Sequence, residues 1–177
     1  MTDANPQPQD MFKNIVQIGV VVANLDETTK ALSEIFGIGP FRTISWPPAG
    51  RTDIQRYYHG QPATFTARMA FAEIGSLELE LIEPLAGESA WADFLKERGP
   101  GIHHILFNTL DLKPVLDHLA RHGINPTQSG SGIRLGTIWT NFDSESKIGF
   151  GIEVRKMVAG SSGRTPQIVD GKVITDS

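Results

Sequence analysis

Apolar positions along the chain fall into two interchanging periods. Residues 13 to 22 form an almost unbroken run rich in Val and Ile, which predicts a buried strand. Ala31, Leu32, Ile35 and Phe36 then recur at helical spacing. They predict a helix over Asp26 to Phe36, with Asp26 able to cap its start and Gly37 supplying a left-handed stop. Phe41 to Trp46 reads as a second strand, closed by Pro47-Pro48-Ala49-Gly50. Arg51 to Gln61 reads as a polar loop dotted with aromatics, and Thr64 to Glu73 as a third strand. After Gly75, the segment Leu77-Glu78-Leu79-Glu80-Leu81-Ile82-Glu83-Pro84 alternates with period two. Leu77, Leu79 and Leu81 share one face, and Glu78 and Glu80 the other.

From Gly101 the pattern starts again. Gly101-Ile102-His103-His104-Ile105-Leu106-Phe107-Asn108 is an apolar strand, and in a regular strand His103 and His104 face opposite ways. A helix follows, capped by Asp111, with Pro114 in its first turn, Val115, Leu116 and Leu119 as its stripe and Gly123 at its end. Strands are expected around Gly132 to Leu135, Gly136 to Phe142 and Ile148 to Arg155. Counting back 87 positions from His104 reaches Gln17, and the same offset carries Asn24 onto Asp111, Leu25 onto Leu112 and Leu32 onto Leu119. The chain therefore reads as one unit written twice. A flexible arm (1–12) precedes the first module (13–84), and a linker with a short helix, Ser89 to Arg98, occupies 85–100. The second module (101–157) precedes a tail (158–177) whose Ile168-Val169 and Val173-Ile174 can dock as a late strand. The expected fold is α+β, two βαβββ modules whose sheets curve around one cup.

Composition narrows the chemistry. A net charge of -4 with scattered Lys and Arg offers no basic stripe for nucleic acid. No run approaches the roughly 20 apolar residues that span a bilayer, so a cytoplasmic protein is the default expectation. Cysteine is absent, which removes thiolate catalysis and Cys-ligated metals. His, Asp, Glu and Gln are left as donors.

Each module supplies one polar residue in its first strand and one glutamate in its last: Gln17 with Glu80, and His104 with Glu153. If the modules pack about a pseudo-two-fold axis, these four meet on one concave surface. One imidazole nitrogen and three oxygen donors suit a hard or borderline divalent ion, whose charge two carboxylates would neutralise.

At these residues the chain resembles the vicinal oxygen chelate superfamily, that of glyoxalase I and methylmalonyl-CoA epimerase. The resemblance covers roughly residues 13 to 156 and is most epimerase-like from Glu80-Leu81-Ile82-Glu83-Pro84-Leu85 through Gly99-Pro100-Gly101-Ile102-His103-His104-Ile105. It implies a glyoxalase-like cupped mixed sheet and puts the family's ligands on Gln17, Glu80, His104 and Glu153, for one divalent ion (Zn, Ni, Co, Mn or Mg). The order Gln, Glu, His, Glu is similar to glyoxalase I, whereas epimerases usually begin with His. No acid lies between Gly60 and Phe71, where the second carboxylate of the epimerases would fall. The resemblance implies an isomerase, epimerase or lyase removing a proton next to a carbonyl in a small oxygenated or thioester substrate, with Glu153 the main base and Glu80 across from it. Two other readings stay open: a metal-free small-molecule-binding protein of the antibiotic-sequestering kind, and a ring-cleaving dioxygenase, against which Gln17 in place of a histidine argues.

Arg51, Arg56, Tyr58 and His59 sit in a segment that can either fold over the mouth of the cup, where they would meet a carboxylate or phosphate group, or stand as an ordinary exposed loop, and Trp139 can either line the pocket or fill the core. Cupped sheets also expose edges and helices that can pair, which allows a homodimer.

Overall fold

The written-twice pattern becomes a single curled sheet. The structure, a computed structural model, describes residues 7–161, 165–169 and 172–174. The first half runs α1 (Pro8–Met11), β1 (Ile15–Val21), α2 (Leu25–Phe36), β2 (Arg42–Trp46), β3 (Arg56–Tyr58), β4 (Gln61–Pro62), β5 (Thr66–Ile74) and β6 (Leu77–Ala86). After α3 (Ala90–Arg98), the second runs β7 (Gly101–Thr109), α4 (Lys113–Arg121), β8 (Pro126–Ser131), β9 (Ile138–Phe142), α5 (Glu145–Ile148) and β10 (Gly151–Lys156). A hairpin of β11 (Gln167–Val169) and β12 (Lys172–Ile174) stands as its own small sheet.

The main sheet has ten strands in the order β2-β5-β6-β1-β7-β10-β9-β8-β3-β4. Within each module the first and last strands are parallel, β1 with β6 and β7 with β10, and the modules join where β1 meets β7 antiparallel. The register carries the duplication: Gln17 lies opposite Leu106 and Gly19 opposite His104, so the offset that converts Gln17 into His104 also converts Gly19 into Leu106. Next to these pairs the ladder slips once on each strand. Val16 in β1 and His103 in β7, equivalent under that offset, are left without partners. Two symmetric bulges therefore stand just ahead of Gln17 and His104.

Alternation along each strand sorts the core into layers. Leu79, Leu81 and Ala70 face α2, joined by Leu25 and by the half-buried Leu32. Val154 and Phe142 face α4 through Val115 and Leu119, and Met11 of α1 is buried in the same cluster. The other side of the sheet collects Trp46, Phe65, Met69, Phe71, Ile82 and Trp139, with Trp91 reaching in from α3. Trp46 on β2 meets Trp139 on β9 with ring centroids 6.2 Å apart, so the curl brings distant strands together over a concave interior.

Several local expectations change. Asn24, not Asp26, caps α2 by accepting from the Glu27 N–H at 3.1 Å, which leaves Asp26 to pair with Arg68 at 2.6 Å. Ile35 and Phe36 are 71% and 68% exposed, because α2 docks through its N-terminal end and Leu32 alone of the expected stripe packs inward. Asp111 sits one position outside the α4 cap, where Oδ1 accepts from the Lys113 N–H at 3.0 Å. The strand expected at 132 to 135 lies at Pro126–Ser131 instead. Gly132 to Thr137 is a turn, closed by hydrogen bonds from Gly132 N to Thr137 O (2.8 Å) and from Thr137 N to Arg134 O (3.2 Å). Glu145–Ile148 is a helical turn stopped by left-handed Gly149, so the last strand starts at Gly151 rather than Ile148. The segment Arg51 to Gln61, expected as a loop, carries β3 and half of β4, and β3 extends the second module's sheet by pairing with β8. Among the described residues no helix is long and apolar enough to cross a membrane.

Candidate functional site

Glu80, His104 and Glu153 are brought together, and Gln17 faces the same cavity as the two glutamates. The parallel pairings set this: Glu80 lies beside Gly19, and Glu153 beside Leu106, the equivalent of Gly19. His104 Nε2 stands 3.5 Å from Glu80 Oε2 and 3.4 Å from Glu153 Oε2. All four side chains are buried, and His104 is completely enclosed.

Such a ring placement needs open backbone beneath it. A Cβ built on Gly19 falls 2.1 Å from His104 Cε1 and 2.4 Å from Nε2, so the imidazole lies across β1 only because residue 19 is glycine. Gly19 is a site residue that the sequence reading missed. Its signal was present as the one glycine interrupting the first Val and Ile strand.

Three of the four side chains are held by an outer partner. Gln17 Nε2 donates to Glu78 Oε1 at 2.7 Å, which leaves the amide oxygen available to a ligand. Asn141 Nδ2 donates to Glu153 Oε2 at 3.0 Å. His104 Nδ1 lies 3.0 Å from His103 Nδ1. Such outer partners are what orient metal ligands in known sites. Glu78 also accepts from Thr165 Oγ1 at 2.5 Å and from Arg42 at 3.4 Å, which compensates a carboxylate buried beside two others.

The electrostatics are those of a cluster short of positive charge. Burial favours neutral His104, but the carboxylates of Glu153 and Glu80 outweigh it and hold the imidazole above its ordinary 6.5. Burial pushes Glu153 above its ordinary value; protonated His104 pulls it back, and Glu80 pushes it up again. Burial likewise raises Glu78, against the Thr165 hydrogen bond. His104 Nε2 is buried and makes no hydrogen bond, because 3.4 and 3.5 Å are ion-pair distances rather than hydrogen bonds.

Among the described residues no group of three or more His, Asp and Glu side chains forms a ready cage for an ion. The spacing at His104 nonetheless fits one: ligands about 2.1 Å from an ion at the tetrahedral angle stand about 3.4 Å apart. The orphaned Nε2 and the chemistry of the donors fit a divalent cation.

Above the donors lies a cavity of ≈ 540 Å³, counted to its open mouth. Trp46, Trp91 and Trp139 form its apolar wall, with Trp91 and Trp139 stacked at 5.3 Å and 24°. Thr165 and Pro166 border it from the C-terminal segment. Arg155, two residues beyond Glu153 and so on the same face, also lines it, with Nε donating to Asn108 Oδ1 at 3.0 Å.

Of the residues expected to contact substrate, only Trp139 lines this cavity. Arg51 is committed to Asp53 and to the Ile133 carbonyl, each at 2.6 Å, and Arg56 donates to the Phe65 carbonyl at 2.7 Å. Tyr58, whose hydroxyl donates to Asp93, lines a second cavity together with His59. The pairing of β3 with β8 draws this segment to the end of the sheet instead of over the mouth.

Comparison with known proteins bears on the fold and the family. The family model described as Glyoxalase/Bleomycin resistance protein/Dioxygenase superfamily matches residues 16–138. An uncharacterized protein, YqjC of Bacillus subtilis (strain 168), is 36% identical over 75 residues; the match covers 40% of this chain and about half, 54%, of that protein. The crystal structure of hypothetical protein BH1468 from Bacillus halodurans C-125 is similar with a TM-score of 0.60 at 22% identity, covering 85% of this chain and 98% of that one. A Streptomyces coelicolor methylmalonyl-CoA epimerase variant in complex with 2-nitronate-propionyl-CoA is similar with a TM-score of 0.57 at 23% identity, covering 82% and 95%. The methylmalonyl-CoA epimerase from Mycobacterium tuberculosis gives 0.53 at 21% identity, covering 82% and 88%. At these identities the structural likeness speaks for the fold alone.

Proposed function

From the premise that the chain belongs to the Glyoxalase/Bleomycin resistance protein/Dioxygenase superfamily, we propose that it is a metal-dependent isomerase, epimerase or lyase. Its reaction would remove a proton from carbon next to a carbonyl in a small oxygenated compound or thioester. The observation that supports this best is His104 Nε2, buried without a hydrogen bond at 3.4 and 3.5 Å from two carboxylate oxygens at the cavity floor. Gln17, Glu80, His104 and Glu153 would hold one divalent ion. When bound, the ion supplies Lewis acidity to a carbonyl oxygen, worth several kcal/mol to the charge that develops there.

The chain's own residues do the rest. Glu153 is the base: as the C–H bond breaks, its electron pair moves toward the carbonyl oxygen and the proton goes to the carboxylate. Burial, which raises the proton affinity of Glu153, suits it to this role. Asn141 holds that carboxylate in place, and Glu80, beside His104, returns or removes the proton at the other face. The tryptophan wall excludes water and packs the apolar part of the substrate.

The test is hydrogen–deuterium exchange at carbon. Metal-loaded protein in deuterium oxide is mixed with a panel of small hydroxy and keto carbonyl compounds and acyl thioesters, and loss of the proton next to the carbonyl is followed by NMR. Glu153→Gln should lose about 10²- to 10⁴-fold in exchange rate with metal retained; undiminished exchange ends the reading. The tryptophan wall suits one rival, a metal-free small-molecule-binding protein. Protein purified without chelator that carries no divalent metal and takes none up would establish that rival.

A further inference from the structure

His103 and His104 are neighbours in one strand, where side chains ordinarily point apart, yet their rings meet at 5.3 Å and 88° with the two Nδ1 atoms 3.0 Å apart. The cause is the bulge. His103 is the residue of β7 that pairs with nothing in β1, and the extra residue turns its side chain toward that of His104. His103 is 2% exposed and packed edge-on against Phe94 of α3 at 5.2 Å, so the ring is held on both sides.

Two ring nitrogens at that distance share a single hydrogen. Either His104 donates and His103 accepts, or the reverse, and the two arrangements differ at the far side of His104. If His104 Nδ1 carries the hydrogen, Nε2 presents a lone pair toward Glu80 and Glu153. If His103 donates, the His104 proton sits on Nε2, between the carboxylates, and no ion can bind there. The carboxylates alone favour the second arrangement, since an N–H aimed at two anionic oxygens is stabilised by both.

We propose that His103 is a positioning residue which, by accepting at Nδ1, keeps the His104 hydrogen on Nδ1 and leaves Nε2 as a ligand. This rests on the ligand reading of His104 given above. The remaining nitrogen of His103 then carries its own hydrogen. His103 also lines the second cavity, ≈ 620 Å³ to its open mouth, whose lining includes the carboxylates of Asp93, Glu97 and Glu145 together with the guanidinium of Arg98. Carboxylates outnumber the single guanidinium in that lining, so a hydrogen-bond acceptor for the His103 N–H is at hand. The ligand is thus oriented by a second imidazole, where carboxylates, backbone carbonyls or water commonly serve.

Two variants and one spectroscopic measurement test it. Asparagine carries Oδ1 at the same bond distance from Cα as histidine Nδ1, so His103→Asn keeps an acceptor where His103→Leu has none. Zn²⁺ affinity by chelator competition should fall about 10- to 100-fold in His103→Leu and stay close to wild type in His103→Asn. Wild-type affinity in His103→Leu, or equal loss in both variants with unfolding midpoints unchanged, overturns the proposal. In metal-free wild-type protein above the His104 pKa, ¹⁵N chemical shifts and couplings should put the hydrogen on His104 Nδ1; a hydrogen on Nε2 overturns it even where neither variant folds. A wild-type protein that takes up no Zn²⁺ fails the ligand reading instead, and the ¹⁵N measurement still decides the histidine pair.

Discussion

Gly19→Ala is the sharpest perturbation the site offers. The added methyl would sit 2.1 to 2.5 Å from three atoms of the His104 ring, whereas ordinary contact begins at 3.4 Å. The ring must retreat by about 1 Å or more, and it is completely buried in a close-packed interior. Overpacking of this kind costs about 1–3 kcal/mol, equivalent to a fall of roughly 2–10 °C in unfolding temperature for a domain of this size. Ligand positions tolerate only about 0.2 Å, so Zn²⁺ affinity should fall by at least about 100-fold, beyond the loss from an outer partner. Gly101→Ala on the neighbouring strand is the control, because its methyl would meet Phe94 at an ordinary 3.7 Å. Calorimetry with and without Zn²⁺ reads both quantities. Undiminished Zn²⁺ affinity in Gly19→Ala would refute the placement of the His104 ring over β1.

Other outcomes follow from the same geometry. His104 and Glu153 both bind protons more tightly in the folded chain than when unfolded. Their contribution to metal-free stability should therefore be fullest below their ordinary values of 6.5 and 4.5 and decline as pH rises through the raised folded ones, whereas buried His103, pushed down to about 3, opposes folding only below its ordinary 6.5. Urea midpoints measured with chelator from about pH 6 to pH 9 check this sign, and with saturating Zn²⁺ the slope should reverse because protons compete with the ion. Glu80→Gln should lower Zn²⁺ affinity more than Glu78→Gln, since Glu80 faces His104 Nε2 whereas Glu78 holds Gln17; the reverse order in a competition titration would exchange their roles. Asn24→Ala should cost about 1 kcal/mol through loss of the α2 cap, read as a lowered urea midpoint with Zn²⁺ affinity unchanged.

What could be read from the chain was whatever repeats or alternates. The offset joining Gln17 to His104 reappears in the β1–β7 register, and the alternation that placed Glu80 opposite Leu79 and Leu81 is the alternation that puts it in the cup. Strand β8, Pro-Thr-Gln-Ser-Gly-Ser, was illegible because polar residues fill it. Its burial depends on distant partners: the Gln128 amide oxygen accepts from the Ala90 N–H at 2.6 Å, and Gly130 lies so close under Trp139 that a Cβ would be 2.8 Å from the ring. The bulge at His103 was illegible for a related reason, since period two gives every residue a definite face and an unpaired residue exists only relative to a partner strand. The polar segment of Arg51 to His59 carried the charge of a binding loop but not the information that β8 would take it as a neighbour.

The central geometry is tested most directly by anomalous diffraction from crystals of the full chain loaded with Zn²⁺. The expected result is one peak about 2.0–2.1 Å from His104 Nε2 and within about 2.2 Å of carboxylate oxygens of Glu80 and Glu153, with the Gln17 amide oxygen completing the set. A peak held elsewhere, or loaded crystals in which Nε2 still faces the two carboxylates with no ion between them, would contradict it.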